Sequence, residues 1–174
     1  MAWGRIYDSL IAEQTAIDPT GRFDASMLWV NLAGITPTPQ LGWSASETNG
    51  TWSFTAPPPP PAPTLAEQAI TAMSAGLTIS SAGTPALDGT YACDDTAQAN
   101  LNSMYNLIQR AGGNAFPGGL SALPWPLLSG AVVTFTSVSA FLAVETAIGD
   151  YVLTLDLVVT TNAGTLPPAT ASIA

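Results

Sequence analysis

The sequence predicts an α+β fold: a small N-terminal antiparallel β module, a polyproline linker, and a C-terminal α+β domain with about three helices and short strands. Three observations carry this reading. Asn49 and Gly50, a favoured hairpin turn pair, sit between two aromatic-bearing segments in GWSASETNGTWSF. Pro57 to Pro61 run unbroken and are continued by Pro63; proline's fixed φ and missing N–H favour a polyproline II rod over helix or sheet. After the prolines, helix-capping signatures introduce apolar residues at helical spacing.

The N-terminal module is expected over residues 1–55. Within GRIYDSLIAEQTAI, Asp8 and Ser9 are read as a turn between two short strands, although the apolar spacing also fits a helix. MLWVNL, Met27 to Leu32, is a third strand candidate. Trp43, Trp52 and Phe54 are expected to pack on one small sheet, with Trp43 and Trp52 placed to pair across the Asn49-Gly50 turn. Residues 56–63 are the expected linker, in which the run from Pro57 to Pro63 makes a spacer of roughly 20 Å.

The C-terminal domain is expected over residues 64–160. Thr64 with Glu67 makes a capping box for a helix from Leu65 to Ala75, which Gly76 terminates. LTISSAGTPALDGTYACD suggests a two-strand unit. Asp95 with Gln98 repeats the capping pattern, and Ala97, Leu101, Met104, Tyr105 and Ile108 recur at helical spacing up to Gly112 and Gly113. GGNAFPGGLSALPWPLLSG reads as a long loop anchored by Phe116 and Trp125, and AVVTFT as a strand. Ser137 or Ser139 caps a third helix whose apolar face is Phe141, Leu142, Val144, Ile148, Tyr151, Val152 and Leu155. Residues 161–174 read as a polar tail, ordered only against a partner.

Composition narrows the function. Twelve acidic residues face Arg5, Arg22 and Arg110, with no lysine and a net charge of -9, so nucleic acid and anionic membrane surfaces are not expected partners. Charged residues make up 9% of the chain against about 25% in typical soluble domains. Part of so sparsely charged a surface is expected to be covered by other copies, as a homo-oligomer, or by other proteins. The lone Cys93 permits no intramolecular disulfide and reads as a small buried hydrophobe. The start, MAWGRIYDSLIAEQ, lacks the apolar core of a signal peptide, which points to a cytoplasmic origin.

Chemistry is constrained by what the chain lacks. Without histidine there is no Ser-His or Cys-His dyad, and without lysine no Schiff base or P-loop. Asp88, Asp94 and Asp95 are the candidates for a carboxylate pair acting on a glycosidic bond, but adjacent aspartates at a helix start are favoured as caps. No catalytic residue, cofactor or metal site is expected. The candidate interface or structural residues are Trp29, Trp43, Trp52, Phe54, Phe116 and Trp125; the linker residues are Pro57, Pro58, Pro59, Pro60, Pro61 and Pro63.

DPTGRFDASMLWVNL followed by GWSASETNGTWSFTAPPPPP resembles the leading module of small proteins encoded beside tail fibre genes in tailed bacteriophages and prophages. In that family a compact β unit closes on a G-x-W or G-x-F segment and runs into a proline string. AGLTISSAGTPALDGTYACDDTAQANLNSMYNLI and PWPLLSGAVVTFTSVSAFLAVETAIGDYVLTLDL resemble the C-terminal domain that accompanies such modules. The resemblance runs from about residue 18 to residue 160 and implies a structural protein of the virion tail, made in the host cytoplasm. Its expected place is the distal tail, baseplate or fibre-bearing region, in several copies against other phage tail or fibre proteins. The alternatives it leaves are a tail fibre assembly chaperone absent from the mature particle, and a glycan-binding or glycan-cleaving tail module.

Overall fold

In the computed structural model, which describes residues 2–174, the strand-forming residues up to Thr55 build one antiparallel sheet. Its strands are β1 (Trp3–Tyr7), β2 (Leu10–Thr15), β3 (Leu28–Asn31), β4 (Ser44–Thr48) and β5 (Thr51–Thr55), in the order β3-β1-β2-β4-β5. Two-residue turns join β1 to β2 and β4 to β5. Asp8 and Ser9 have φ of 50° and 59°, and Asn49 and Gly50 have 52° and 79°. Positive φ at both positions gives a turn whose twist matches that of the strands it joins.

Among its described residues the first unit contains no helix, and its core is built from its own strands and loops. Ile11, Val30 and Leu32 are buried there, with Ile6, Ile35, Trp43, Trp52 and Phe54 packed around them. Gly4 is part of the reason Leu32 fits: a Cβ at Gly4 would lie 3.1 Å from Leu32 Cδ1 and 3.4 Å from Ile11 Cγ2. On β1 and β2, Arg5 and Glu13 face each other and form an ion pair at 2.9 Å, worth at most about 1 kcal/mol at such a surface.

A second unit runs from Ala62 to Ala174, the first ending at Pro61. It opens with α1 (Leu65–Ala75). The capping box is complete: the Glu67 N–H donates to Thr64 Oγ1 at 3.2 Å, and the Thr64 N–H donates to the Glu67 carboxylate at 2.7 Å. Gly76 ends the helix at φ 78°, where a Cβ would run into the Tyr91 carbonyl oxygen. The chain then enters β6 (Leu77–Ser81), whose buried residues alternate, and β7 (Gly89–Tyr91). Helix α2 (Asp95–Arg110) is capped by Asp94 rather than Asp95: the Asp94 carboxylate accepts the Ala97 N–H at 2.8 Å. Gln98 donates its side-chain amide to the Cys93 carbonyl, and Asp95 lies in the first turn, where the helix dipole favours a negative charge.

The segment expected to be one long loop contains a strand. β8 (Leu123–Pro126) pairs antiparallel with β9 (Val132–Phe135). The long helix α3 (Val138–Thr161) follows, capped by Ser137, which accepts the Ala140 N–H at 3.2 Å. Phe141, Val144, Ile148, Tyr151, Val152, Leu155 and Val158 on α3 are buried and form the spine of the core. The residues expected to be a polar tail end in β10 (Thr170–Ile173), which lies parallel to β6 and completes a sheet ordered β10-β6-β7. The Thr78 N–H donates to the Ala169 carbonyl at 3.0 Å and the Ala82 N–H to that of Ile173 at 3.1 Å. This mixture of helices and strands makes the chain an α+β protein.

Among the described residues the three α-helices all lie in the second unit, and Trp3, Trp29, Trp43 and Trp52 lie in the first. Gly76→Ala combines a disfavoured φ with a backbone collision, and is expected to cost the second unit about 2 kcal/mol or more. Urea unfolding followed by circular dichroism at the helix band should show the midpoint falling, while the tryptophan fluorescence transition of the first unit stays in place.

Candidate functional site

The Asn49-Gly50 turn decides what the aromatic hairpin displays. A two-residue turn makes Thr48 and Thr51 a hydrogen-bonded pair, and the register continues Glu47 to Trp52, Ser46 to Ser53, Ala45 to Phe54 and Ser44 to Thr55. Trp52 and Phe54 therefore share a face, with rings stacked at 6.3 Å and 22° and half-buried against the Ile11–Val30–Leu32 core. The opposite face is hydroxylic, with Ser46 and Ser53 Oγ 2.7 Å apart. Trp43 does not pair with Trp52: it precedes β4, its carbonyl accepts the Ile11 N–H at 2.9 Å, and Glu47 lies opposite Trp52.

At the other edge of the sheet, Trp29 on β3 meets Phe23 at 4.8 Å between ring centroids. With Trp3, Met27 and Leu28 they line a cleft of about 430 Å³. The loop around it is held by two aspartates. The Thr20 backbone and side chain hold Asp18 below the usual carboxylate range, and the Ser26 hydroxyl and backbone N–H do the same for Asp24.

In the second unit Phe116 is a core residue, buried among the α3 side chains. Trp125 is half-buried; its ring meets Phe141 edge-on at 5.6 Å, and Phe141 meets Phe135 at 5.4 Å. The outer side of Trp125 joins Pro124, Pro126, Met104 and Leu107 in an apolar groove of about 500 Å³ between β8 and α2. The Leu127 N–H donates to the Ala131 carbonyl, so the backbone groups of Leu123, Trp125 and Leu127 point toward β9, and those of Pro124 and Pro126 point away from it. Pro57 to Pro61 and Pro63 are all exposed and lie in no helix or strand. Sequence reasoning did not single out Leu153 and Leu157, one turn apart on α3 and 69% and 63% exposed. Their positions outside the buried stripe of α3 were the available signal.

Two of the three candidate carboxylates are engaged by backbone. Asp88 accepts the Ser81 N–H at 2.6 Å and Asp94 that of Ala97. Of Asp88, Asp94 and Asp95, Asp94 alone lines the groove beside Trp125. Among the described residues no group of three His, Cys, Asp or Glu side chains is placed to hold a metal ion, and no helix is long and apolar enough to cross a membrane. Cys93 is buried, and burial pushes its thiol up to about 11. Set against protein-family models, curated proteins and solved structures, the chain matches none.

Burial and the nearby Asp88 charge also push the Tyr91 phenol up to about 12, and its hydroxyl donates to the Leu87 carbonyl at 2.8 Å. Both groups have folded pKa values above their ordinary ones, so the stability they contribute is intact below about pH 9 and is lost as pH rises through about 11 and 12. The helix-band urea midpoint is expected to fall between about pH 8 and pH 10.5. Cys93→Ala should make that fall shallower.

Proposed function

We propose that the chain is a non-enzymatic structural component of a phage-like tail, at the distal tail, baseplate or fibre-bearing region, where each unit holds a different tail or fibre protein. The observation that carries this reading is the division into two separately cored units joined by residues 56–63, every one of them exposed. Low charge and exposed apolar side chains in both units, Tyr7 and Leu41 in one and Leu153 and Leu157 in the other, support contact with protein rather than with polyanions. The sequence resemblance supplies the tail setting.

Mass spectrometry of purified particles tests the proposal. The chain is expected at a fixed ratio to the tail proteins. Its absence from particles, with recovery bound to fibre protein in the cell extract, would replace this reading with the assembly chaperone.

The proline segment gives a second expectation. Exchanging Pro57 to Pro63 for a Gly/Ser sequence of equal length should leave both unfolding transitions unchanged, because neither core uses those residues. Incorporation into particles should fall about tenfold, since a flexible segment must be ordered on binding where a proline segment is already extended. Unchanged incorporation would reduce the prolines to a passive tether.

A further inference from the structure

The outer edge of β5 is self-complementary. Thr51, Ser53 and Thr55 spend their backbone groups on β4, as the register from the Thr48–Thr51 pair requires. The other parity of β4 is committed elsewhere, Ala45 donating to the Ser9 carbonyl at 2.8 Å. Trp52 and Phe54 therefore turn their N–H and C=O groups outward, on the side where, among the described residues, β5 has no neighbouring strand. The strand reads T-W-S-F-T, hydroxyl residues alternating with aromatic ones symmetrically about Ser53.

An antiparallel copy placed by a two-fold axis at Ser53 would set Trp52 opposite Phe54 of the second copy and Phe54 opposite its Trp52. Each of these is a hydrogen-bonded pair, so every outward N–H and C=O of the two residues finds its partner. The aromatic pairs fall on one face, where such cross-strand pairs are favourable. Thr51 meets Thr55, and Ser53 meets Ser53, on the hydroxyl face. β5 carries no charge, so a chain of net charge -9 brings no like charges together along this ladder. Pro58 and Pro60, on the outward parity, have no N–H to offer, which stops the pairing from running on past the end of β5. The opposite edge, β3, is less available: Phe23 packs on its Trp29, and the Asn31 side chain accepts the Ala33 N–H.

We propose that two copies of the chain join edge to edge through β5, antiparallel about Ser53, in one sheet continuous across both. This does not depend on the tail assignment.

Ser53 is exposed and outside the core, so it tests the pairing without disturbing the fold. Its Cα would lie about 4.5 Å from that of the second copy, which a disulfide spans. In a Cys93→Ala background, Ser53→Cys should oxidise in air to a covalent dimer. Thr51→Cys alone should not, because its two copies lie about 13 Å apart, whereas a mixture of Thr51→Cys and Thr55→Cys should cross-link. By sedimentation the parent chain should dimerise with concentration, and Ser53→Lys, which sets two ammonium groups face to face, should weaken the dimer at least tenfold with an unchanged circular dichroism spectrum. The proposal is overturned by a parent chain monomeric at every concentration, by a dimer indifferent to Ser53→Lys, or by equal cross-linking of Ser53→Cys and Thr51→Cys.

Discussion

A backbone N–H at a strand edge must find an acceptor or stay wet, and where this chain places or withholds that donor shapes much of its surface. On the outer side of β8 the donors are missing, because Pro124 and Pro126 occupy the parity that faces away from β9. That edge offers carbonyls alone and cannot be extended by a regular strand. In β5 the reverse holds: its outward residues, Trp52 and Phe54, keep both donor and acceptor, and prolines begin just past the strand's end. The same residue type thus closes one edge and limits the length of another.

The two units solve the burial problem differently. In the C-terminal unit a single long helix supplies seven buried side chains, and α1, the β8–β9 hairpin and the β10-β6-β7 sheet pack around them. Among its described residues the N-terminal unit has no helix, and Ile11, Val30 and Leu32 are the centre of its core. So small a core leaves Trp52 and Phe54 only half-covered. Completing their burial with a second strand would add apolar contact where the isolated sheet is poorest.

The fold class was legible because its signals are local. Thr64 and Glu67 lie three residues apart and close their capping box without tertiary help, and Asn49-Gly50 imposes its turn on whatever flanks it. The strands that escaped reading depend on distant or conflicting information. β8 carries two prolines, which argue against a strand until their shared parity is noticed. β10 is short and polar, and its partner β6 lies far back in the sequence, so nothing local marks it. Asp94 and Asp95 are equally good caps by chemistry; the backbone geometry selects Asp94. At the candidate surfaces the aromatic residues were visible as residues, but their direction was not. Trp43 and Trp52 look like a pair in sequence, yet Trp43 falls before β4 begins. Phe116 and Trp125 look alike in one loop, yet one is core and the other borders a groove. The outward parity of Trp52 and Phe54 was available in principle, since a two-residue turn fixes Thr48 opposite Thr51 and every pair after it.

In a single chain Trp52 and Phe54 hold unspent backbone groups, and in the proposed dimer they spend them on a second copy. Residue-resolved amide hydrogen exchange measures this directly at two protein concentrations. In dilute solution the Trp52 and Phe54 amides should exchange rapidly while those of Thr51, Ser53 and Thr55, bonded to β4, are protected. In concentrated solution Trp52 and Phe54 should become as slow as their neighbours. Protection of all five at every dilution would mean the edge is already covered, and rapid exchange of Trp52 and Phe54 at every concentration would mean it never pairs; either result rules out association of two copies through β5.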